Sequence, residues 1–187
     1  MDYLHHYESP LGAITLASDG AALVGLWFDE QRFFAASVST EREEKPLPVF
    51  EQADRWLDLY FSGRDPGFTP PLVMRTTEFR QAVWNIMLSI PYGRTTTYGT
   101  IAQIIARQSG VPRMSAQAVG GAVGHNAIAL IIPCHRVVGT NGALVGYGGG
   151  LDRKAALLAL EHAVLPDHPV DEKEICRISN KCHADGV

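Results

Sequence analysis

Ile131-Ile132-Pro133-Cys134-His135-Arg136-Val137-Val138 is an apolar run that meets a proline and then delivers a thiol, an imidazole and a guanidinium in succession. A cysteine is a strong nucleophile only as thiolate, a state favoured by nearby positive charge, a base or oriented dipoles. His135 and Arg136 offer the first two. In an extended strand His135 points to the opposite face from Cys134, so the two meet only through a bend, for which Pro133 is suited, or through a bridging water. The same string also suits a buried, inert cysteine, because cysteine is among the most buried residue types. The surrounding chain has to decide between these readings.

Immediately upstream, residues 128–132 read as a strand leading to Cys134, and His125-Asn126 closes a short helix that begins near Ser115. That helix, with Ala116, Gln117, Ala118, Gly120 and Gly121, is poor in large side chains. Such a surface costs helix stability but lets its backbone approach another molecule closely. Before it, one of Thr95, Thr96 and Thr97 caps a helix whose apolar spacing is Tyr98, Ile101, Ala102 and Ile105, and the turn 108–112 separates the two. Helix, glycine-containing turn, helix is the layout of a helix-turn-helix, and equally of an ordinary packed helical pair. A further helix starts at about Thr77, runs through Val83, Trp84 and Met87, and stops at Pro91-Tyr92-Gly93. Downstream, Asn141-Gly142 marks a tight turn. Gly146-Tyr147-Gly148-Gly149-Gly150 exposes backbone N–H groups without matching a dinucleotide or P-loop fingerprint. A closing helix runs from Asp152 to about His162.

The N-terminal part has a different character. Residues 12–18 and 21–28 are short β-type runs separated by Asp19-Gly20, a hairpin signal, and residues 3–9 add an earlier strand. Residues 48–62 place Phe50, Ala53, Trp56, Leu57, Tyr60 and Phe61 on one helical face. Gly, Pro and Asp then crowd residues 63–71 as a linker. The reading is an α/β (α+β) chain: a small N-terminal sheet-and-helix domain over 1–71, a mainly helical domain with a helix-turn-helix over 72–165, and a tail over 166–187. Apolar periodicity disappears in that tail, which reads as loosely held or disordered, with Cys176, Cys182 and His183 as a weak metal-ligand set.

Charge divides along the same lines. The chain of 187 residues carries a formal net charge of −4, yet residues 1–71 hold five Lys/Arg against twelve Asp/Glu, and residues 72–165 hold eight against three. A basic segment around Cys134 inside an acidic chain points to a polyanion-binding face, although ordinary surface charge produces the same count. Three cysteines make an odd number, which suits a reducing compartment, and the expected location is the cytoplasm. No apolar run reaches membrane-spanning length and no signal-type segment opens the chain.

Several motifs in order then carry a family resemblance: Ile90-Pro91-Tyr92-Gly93, Thr97-Tyr98-Gly99, Ala118-Val119-Gly120, Asn126, Pro133-Cys134-His135-Arg136-Val137, Gly146-Tyr147-Gly148-Gly149, and the segment 154–161 from Lys154 to Glu161. Together they resemble the O6-alkylguanine-DNA alkyltransferases, also called methylated-DNA–protein-cysteine methyltransferases, over roughly residues 77–163. The resemblance implies a DNA repair protein that transfers an alkyl group from the exocyclic oxygen of O6-alkylguanine irreversibly, and once, to its own Cys134. The alkylated oxygen lies inside the duplex, so the base has to be flipped out, here from the minor groove.

The resemblance also implies roles. Glu161 orients His135, which reaches the thiol through a water; Tyr98 donates its hydroxyl to guanine N3; Asn126 and Tyr147 shape the pocket; and Val137, Gly148 and Gly149 hold the base. Thr97, Arg113, Ala116, Gln117, Gly120 and Arg136 are expected to contact DNA. Double-stranded DNA containing O6-alkylguanine is the expected partner of a monomer, with no metal, cofactor or membrane. Read without the family, Tyr98 is equally a core aromatic and Asn126 a helix cap. Two departures stand out: Gln117 replaces the usual arginine, with Arg113 expected to recover part of its charge, and Ala127 stands where Asn-Pro is usual, which should loosen the local turn. Competing classes are a DNA-binding regulator that recognises alkylguanine without repair, which the presence of Cys134 weighs against, and a cysteine hydrolase, for which no clear oxyanion hole is evident.

Overall fold

The computed structural model describes residues 1–163 and 173–175. Three antiparallel strands open the chain, β1 (Asp2–Ser9), β2 (Gly12–Ser18) and β3 (Leu23–Phe28), and a short β4 (Arg42–Glu44) adds in parallel to give the order β3-β2-β1-β4. The Asp19-Gly20 turn forms as expected, with the Asp19 carboxylate accepting the N–H groups of Ala21 and Ala22. Helix α1 (Pro48–Phe61) lays Val49, Phe50, Ala53, Trp56, Leu57 and Tyr60 onto the sheet. Asp2, almost fully buried, accepts a two-pronged ion pair from Arg75 at 2.7 and 2.9 Å.

The remaining helices follow the sequence signals closely. Thr77 caps α2 (Glu78–Leu88), Thr97 caps α3 (Tyr98–Gln108), and Ser115 caps α4 (Ala116–Gly124), each hydroxyl accepting a backbone N–H that has no partner inside its helix. The Trp84 indole donates to the Ala122 carbonyl at 2.9 Å and ties α2 to α4. A two-residue β5 (Thr96–Thr97) pairs in parallel with β6 (Val137–Val138), fixing the start of α3 beside the turn that carries Cys134. Helix α5 (Leu151–Leu160) closes the described fold, burying Leu157 and Leu158.

The expected strand over 128–132 is not there. Ile128 makes one isolated bridge to Leu26, after which the chain turns, with Leu130 at φ 66°. A continuous strand would carry Cys134 past the core. The turn instead delivers it, after Pro133, onto a single 3-10 turn, Cys134–Arg136, packed against the end of α5. The segment is held in place by the edge of β3: Leu26 donates to Ala127 O, and Ala129 donates to Leu26 O, both at 2.8 Å. This pairing also closes the turn at Ala127. One hydrophobic core runs through both halves, from Leu16 and Trp27 to Trp84, Ile101 and Ile132. The sequence readings for residues 166–172 and 176–187, including Cys176, Cys182 and His183, lie outside the described residues.

Candidate active site

Cys134 is 7% exposed and reduced. Burial pushes its thiol above the ordinary value, opposed by a hydrogen bond from Asn126, by the Lys154 ammonium and by the backbone N–H groups of Cys134 and His135. The sequence reading asked for a setting that makes the thiol acidic. In the resting protein desolvation wins, so the thiolate has to be made on demand by moving a proton.

The group placed to take that proton is His135. Its Nε2 lies 2.7 Å from Glu161 Oε1, which assigns the proton to Nε2 and leaves Nδ1 with its lone pair; buried Nδ1 has no hydrogen-bond partner among the described residues. Burial holds the imidazole below its usual pKa, and Glu161 pulls it back up. Glu161 itself is fixed as an anion. Burial alone pushes its carboxyl up, but His135 and Arg136 overcome that and hold it well below the carboxylate range. Arg136 donates from Nε to Oε2 at 2.9 Å, and the Gly93 N–H donates to the same oxygen at 3.0 Å. Gly93 has φ 71°, and a Cβ there would sit 3.0 Å from the Glu161 carbonyl, so the turn after Pro91 requires glycine.

Arg136 is 8% exposed, its Nη1 donates to Ile90 O at 2.7 Å, and its remaining donors face Glu161. It holds the carboxylate.

Two residues that the sequence reading did not single out for the site join it here. Tyr60, from α1, donates its hydroxyl to Glu161 Oε1 at 2.8 Å. Lys154 is fully buried and donates from Nζ to Val137 O at 2.6 Å and to Val145 O at 2.7 Å, with burial lowering its pKa to about 8. The carbonyl of Val137, expected to hold the base edge, therefore already accepts from Lys154. A lysine on the buried face of an otherwise aliphatic helix was the available signal. For Tyr60 the signal was weaker, since an aromatic on an apolar face reads as core.

Asn126 is a staple and not a helix cap, a place taken by His125: its amide donates to Ile132 O at 2.7 Å while its carbonyl accepts from Ile128 N–H at 3.1 Å. Tyr98 stands at the first turn of α3 with its hydroxyl donating to the carbonyls of Val145 and Gly146, both at 3.1 Å. Burial, with a contribution from Cys134, raises its pKa to about 12, so it stays protonated and a donor. The Tyr147 hydroxyl is buried without a hydrogen-bond partner among the described residues. Gly148 accepts from Arg32 N–H through its carbonyl, and a Cβ on Gly149 would strike the Tyr147 ring at 2.8 Å.

A cleft of about 540 Å³ opens beside Tyr98, lined by Gly99, Ala116, Gln117, Gly120 and the loop residues Gly139, Thr140, Val145 and Gly146. Ala116 and Gln117 are exposed on α4, as is Arg113 just before it; Thr97 is occupied as the cap of α3. Among the described residues no group of His, Cys, Asp and Glu is arranged to hold a metal, and no helix is long and apolar enough to cross a membrane.

Comparison with known proteins matches this arrangement. Residues 78–163 match the DNA-binding domain of 6-O-methylguanine DNA methyltransferase, and residues 3–74 match its ribonuclease-like domain. The chain is 45% identical to the methylated-DNA–protein-cysteine methyltransferase of Mycobacterium tuberculosis H37Rv over 165 residues, covering 86% of this chain and 94% of that one. It is 44% identical to the Methanosarcina acetivorans protein of the same name, over 85% and 97% of the two chains. The crystal structure of Mycobacterium tuberculosis OGT in complex with DNA superposes with a TM-score of 0.74 at 42% identity, covering 92% of this chain and 98% of that chain. With two family models spanning most of its length and a buried Cys-His-Glu array where they overlap its motifs, the chain belongs to the 6-O-methylguanine DNA methyltransferase family.

Proposed function

We propose that this protein repairs double-stranded DNA by taking the alkyl group of O6-alkylguanine onto Cys134 Sγ, in one irreversible turnover. The observation that carries the assignment is the state of His135: Nε2 is anchored to an ionised Glu161, and buried Nδ1, without a partner among the described residues, is left to accept a proton. His135 adjoins Cys134 in the same 3-10 turn, and in the proposed reaction the proton crosses between the two side chains through a bridging water. The Sγ proton passes to Nδ1. The thiolate attacks the alkyl carbon, the S–C bond forms as the C–O6 bond breaks, and the electron pair moves onto O6 and the ring. Tyr98 leaves its two carbonyls and donates to ring N3, where the negative charge grows.

Access requires the base to leave the stack. The small exposed residues of α4, Ala116 and Gly121, let it lie close to the minor groove, with Gln117 facing the vacated space and Arg113 contacting phosphate. Tyr147, Gly148, Gly149 and Val137 then frame the flipped base. The protein acts as a monomer in the cytoplasm, which the odd cysteine count supports.

The test is to mix the protein with duplex DNA carrying one O6-methylguanine and weigh the tryptic peptide that contains Cys134. A stoichiometric gain of one methyl group on that peptide, absent from Cys134→Ala, is the expected result. Tight binding without a change in mass would select a recognition protein and overturn the proposal.

A further inference from the structure

The donor that completes the Glu161 cage comes from the other end of the chain. Tyr60 is fully buried on α1, in the half of the molecule outside the segment that matches the DNA-binding domain. Its ring stacks on Trp56 at 5.1 Å and meets Tyr92 and His135 edge-on. Packing therefore fixes where the hydroxyl points, and it points at one atom: Glu161 Oε1, 2.8 Å away, the oxygen that also accepts the His135 Nε2 proton. The hydroxyl is also 3.2 Å from Nε2 itself.

We infer that Tyr60 is a positioning residue for alkyl transfer, setting through Glu161 Oε1 both the orientation and the basicity of His135. The argument is one of shared charge. A carboxylate oxygen that accepts a second strong hydrogen bond has less negative charge left for the first, so each donor weakens its neighbour. Tyr60 thus restrains how strongly Glu161 favours the imidazolium. Burial and the Glu161 charge keep the phenol well above its ordinary pKa, so it remains a donor throughout the working range.

Among the other groups around His135, Arg136 shares this oxygen but brings a charge of its own. Arg136 and Lys154 oppose the imidazolium as like charges, Tyr147 packs edge-on, and Tyr92 sends its hydroxyl to the Leu160 carbonyl at 3.5 Å. The Cys134 thiol, on the same turn as His135, is the proton donor. Of these neighbours, Tyr60 and Arg136 donate to the oxygen that holds the imidazole, and Tyr60 does so without charge.

This inference rests on the assignment of Cys134 as acceptor and His135 as base, and its test separates the two. The single-turnover rate of methyl transfer from O6-methylguanine duplex DNA is followed against pH for the wild type and Tyr60→Phe, which keeps the ring and its stacking. Removing the hydroxyl strengthens the pull of Glu161 on His135. The imidazole then protonates at higher pH, so the acid limb of the profile moves up by about half a pH unit or more, while the plateau rate falls severalfold. Replacing Tyr60 with 3-fluorotyrosine gives a stronger donor of nearly the same size and shifts the limb the opposite way. Ring ¹⁵N shifts of His135 read the same titration without DNA. An acid limb and a His135 titration unmoved in both proteins overturn the role of Tyr60. Wild-type protein that gains no methyl group overturns the underlying assignment instead.

Discussion

The Tyr98 hydroxyl donates to the Gly146 carbonyl across 3.1 Å, and Gly146, at φ 61°, leaves no room for a side chain: a Cβ there would lie 3.0 Å from that hydroxyl. The phenol thus sits at the wall of the cleft with its proton already directed, and an arriving base has only to replace a carbonyl as acceptor. Tyr98→Phe should slow methyl transfer on the order of 10²-fold, the usual scale for one well-placed proton donor. DNA affinity measured by fluorescence anisotropy should change little. Equal losses in affinity and rate would mean that Tyr98 holds DNA and not the departing charge.

Glu161→Gln removes the charge that Arg136 and His135 were built around. Leaving a buried guanidinium without its anion costs about 3–5 kcal/mol, so urea unfolding at neutral pH should show a loss of that size. The sign with pH follows from the depressed carboxyl. Its stabilisation is complete above the ordinary value of 4.5 and is lost as pH falls toward the much lower folded value, because the unfolded chain takes up the proton first. The gap between wild type and variant should therefore narrow steadily as the pH is lowered below 4.5.

Lys154 titrates in the opposite direction. Its folded pKa of about 8 lies below the ordinary 10.5, so between these values the unfolded chain holds a proton that the folded one has released, and stability rises with pH across that window. Lys154→Met should abolish this rise in pH-dependent unfolding. It also takes the ammonium donor from the buried Val137 carbonyl, a loss of about 1–3 kcal/mol for a buried acceptor left unpaired, while the Val145 carbonyl keeps its bond from Tyr98. With the cation gone from beside the sulfur, iodoacetamide should alkylate Cys134 more slowly at neutral pH.

Gln117 is exposed on α4 and lines the cleft. Gln117→Arg adds a cation and a planar stacking surface, so it should tighten DNA binding and steepen the salt dependence of binding by about one unit of slope. Arg113→Ala should flatten that slope by about the same amount, with the effect uniform across sequences. An unchanged slope for Arg113→Ala would remove it from the interface.

The local signals were legible because they are local. Thr77 caps the helix expected of it, Thr97 is the one of three candidate threonines that caps the next, Ser115 caps the helix expected to begin near it, and Asp19-Gly20 turns the hairpin, since each depends on a few neighbouring atoms. Residues 128–132 misled because an unbroken apolar run fits a buried turn as well as a strand, and the choice was made by Leu26, about a hundred positions away. The hold of Arg136 on Glu161 and Ile90 O was hidden for the same reason, since both partners are distant in sequence. Tyr60 and Lys154 lie on apolar helix faces, and their polar ends acquire meaning only when α1 and α5 meet the Cys134 turn.

The Leu26 bridge has a practical corollary for anyone wishing to shorten this molecule. The backbone that presents the sulfur is hemmed on one side by the first third of the chain, so trimming at the apparent linker would remove β3 and strip that seam from the 127–129 backbone. Such a fragment would lose the frame that aims its nucleophile, and reagents derived from this scaffold are better evolved at the cleft rim than cut down in length.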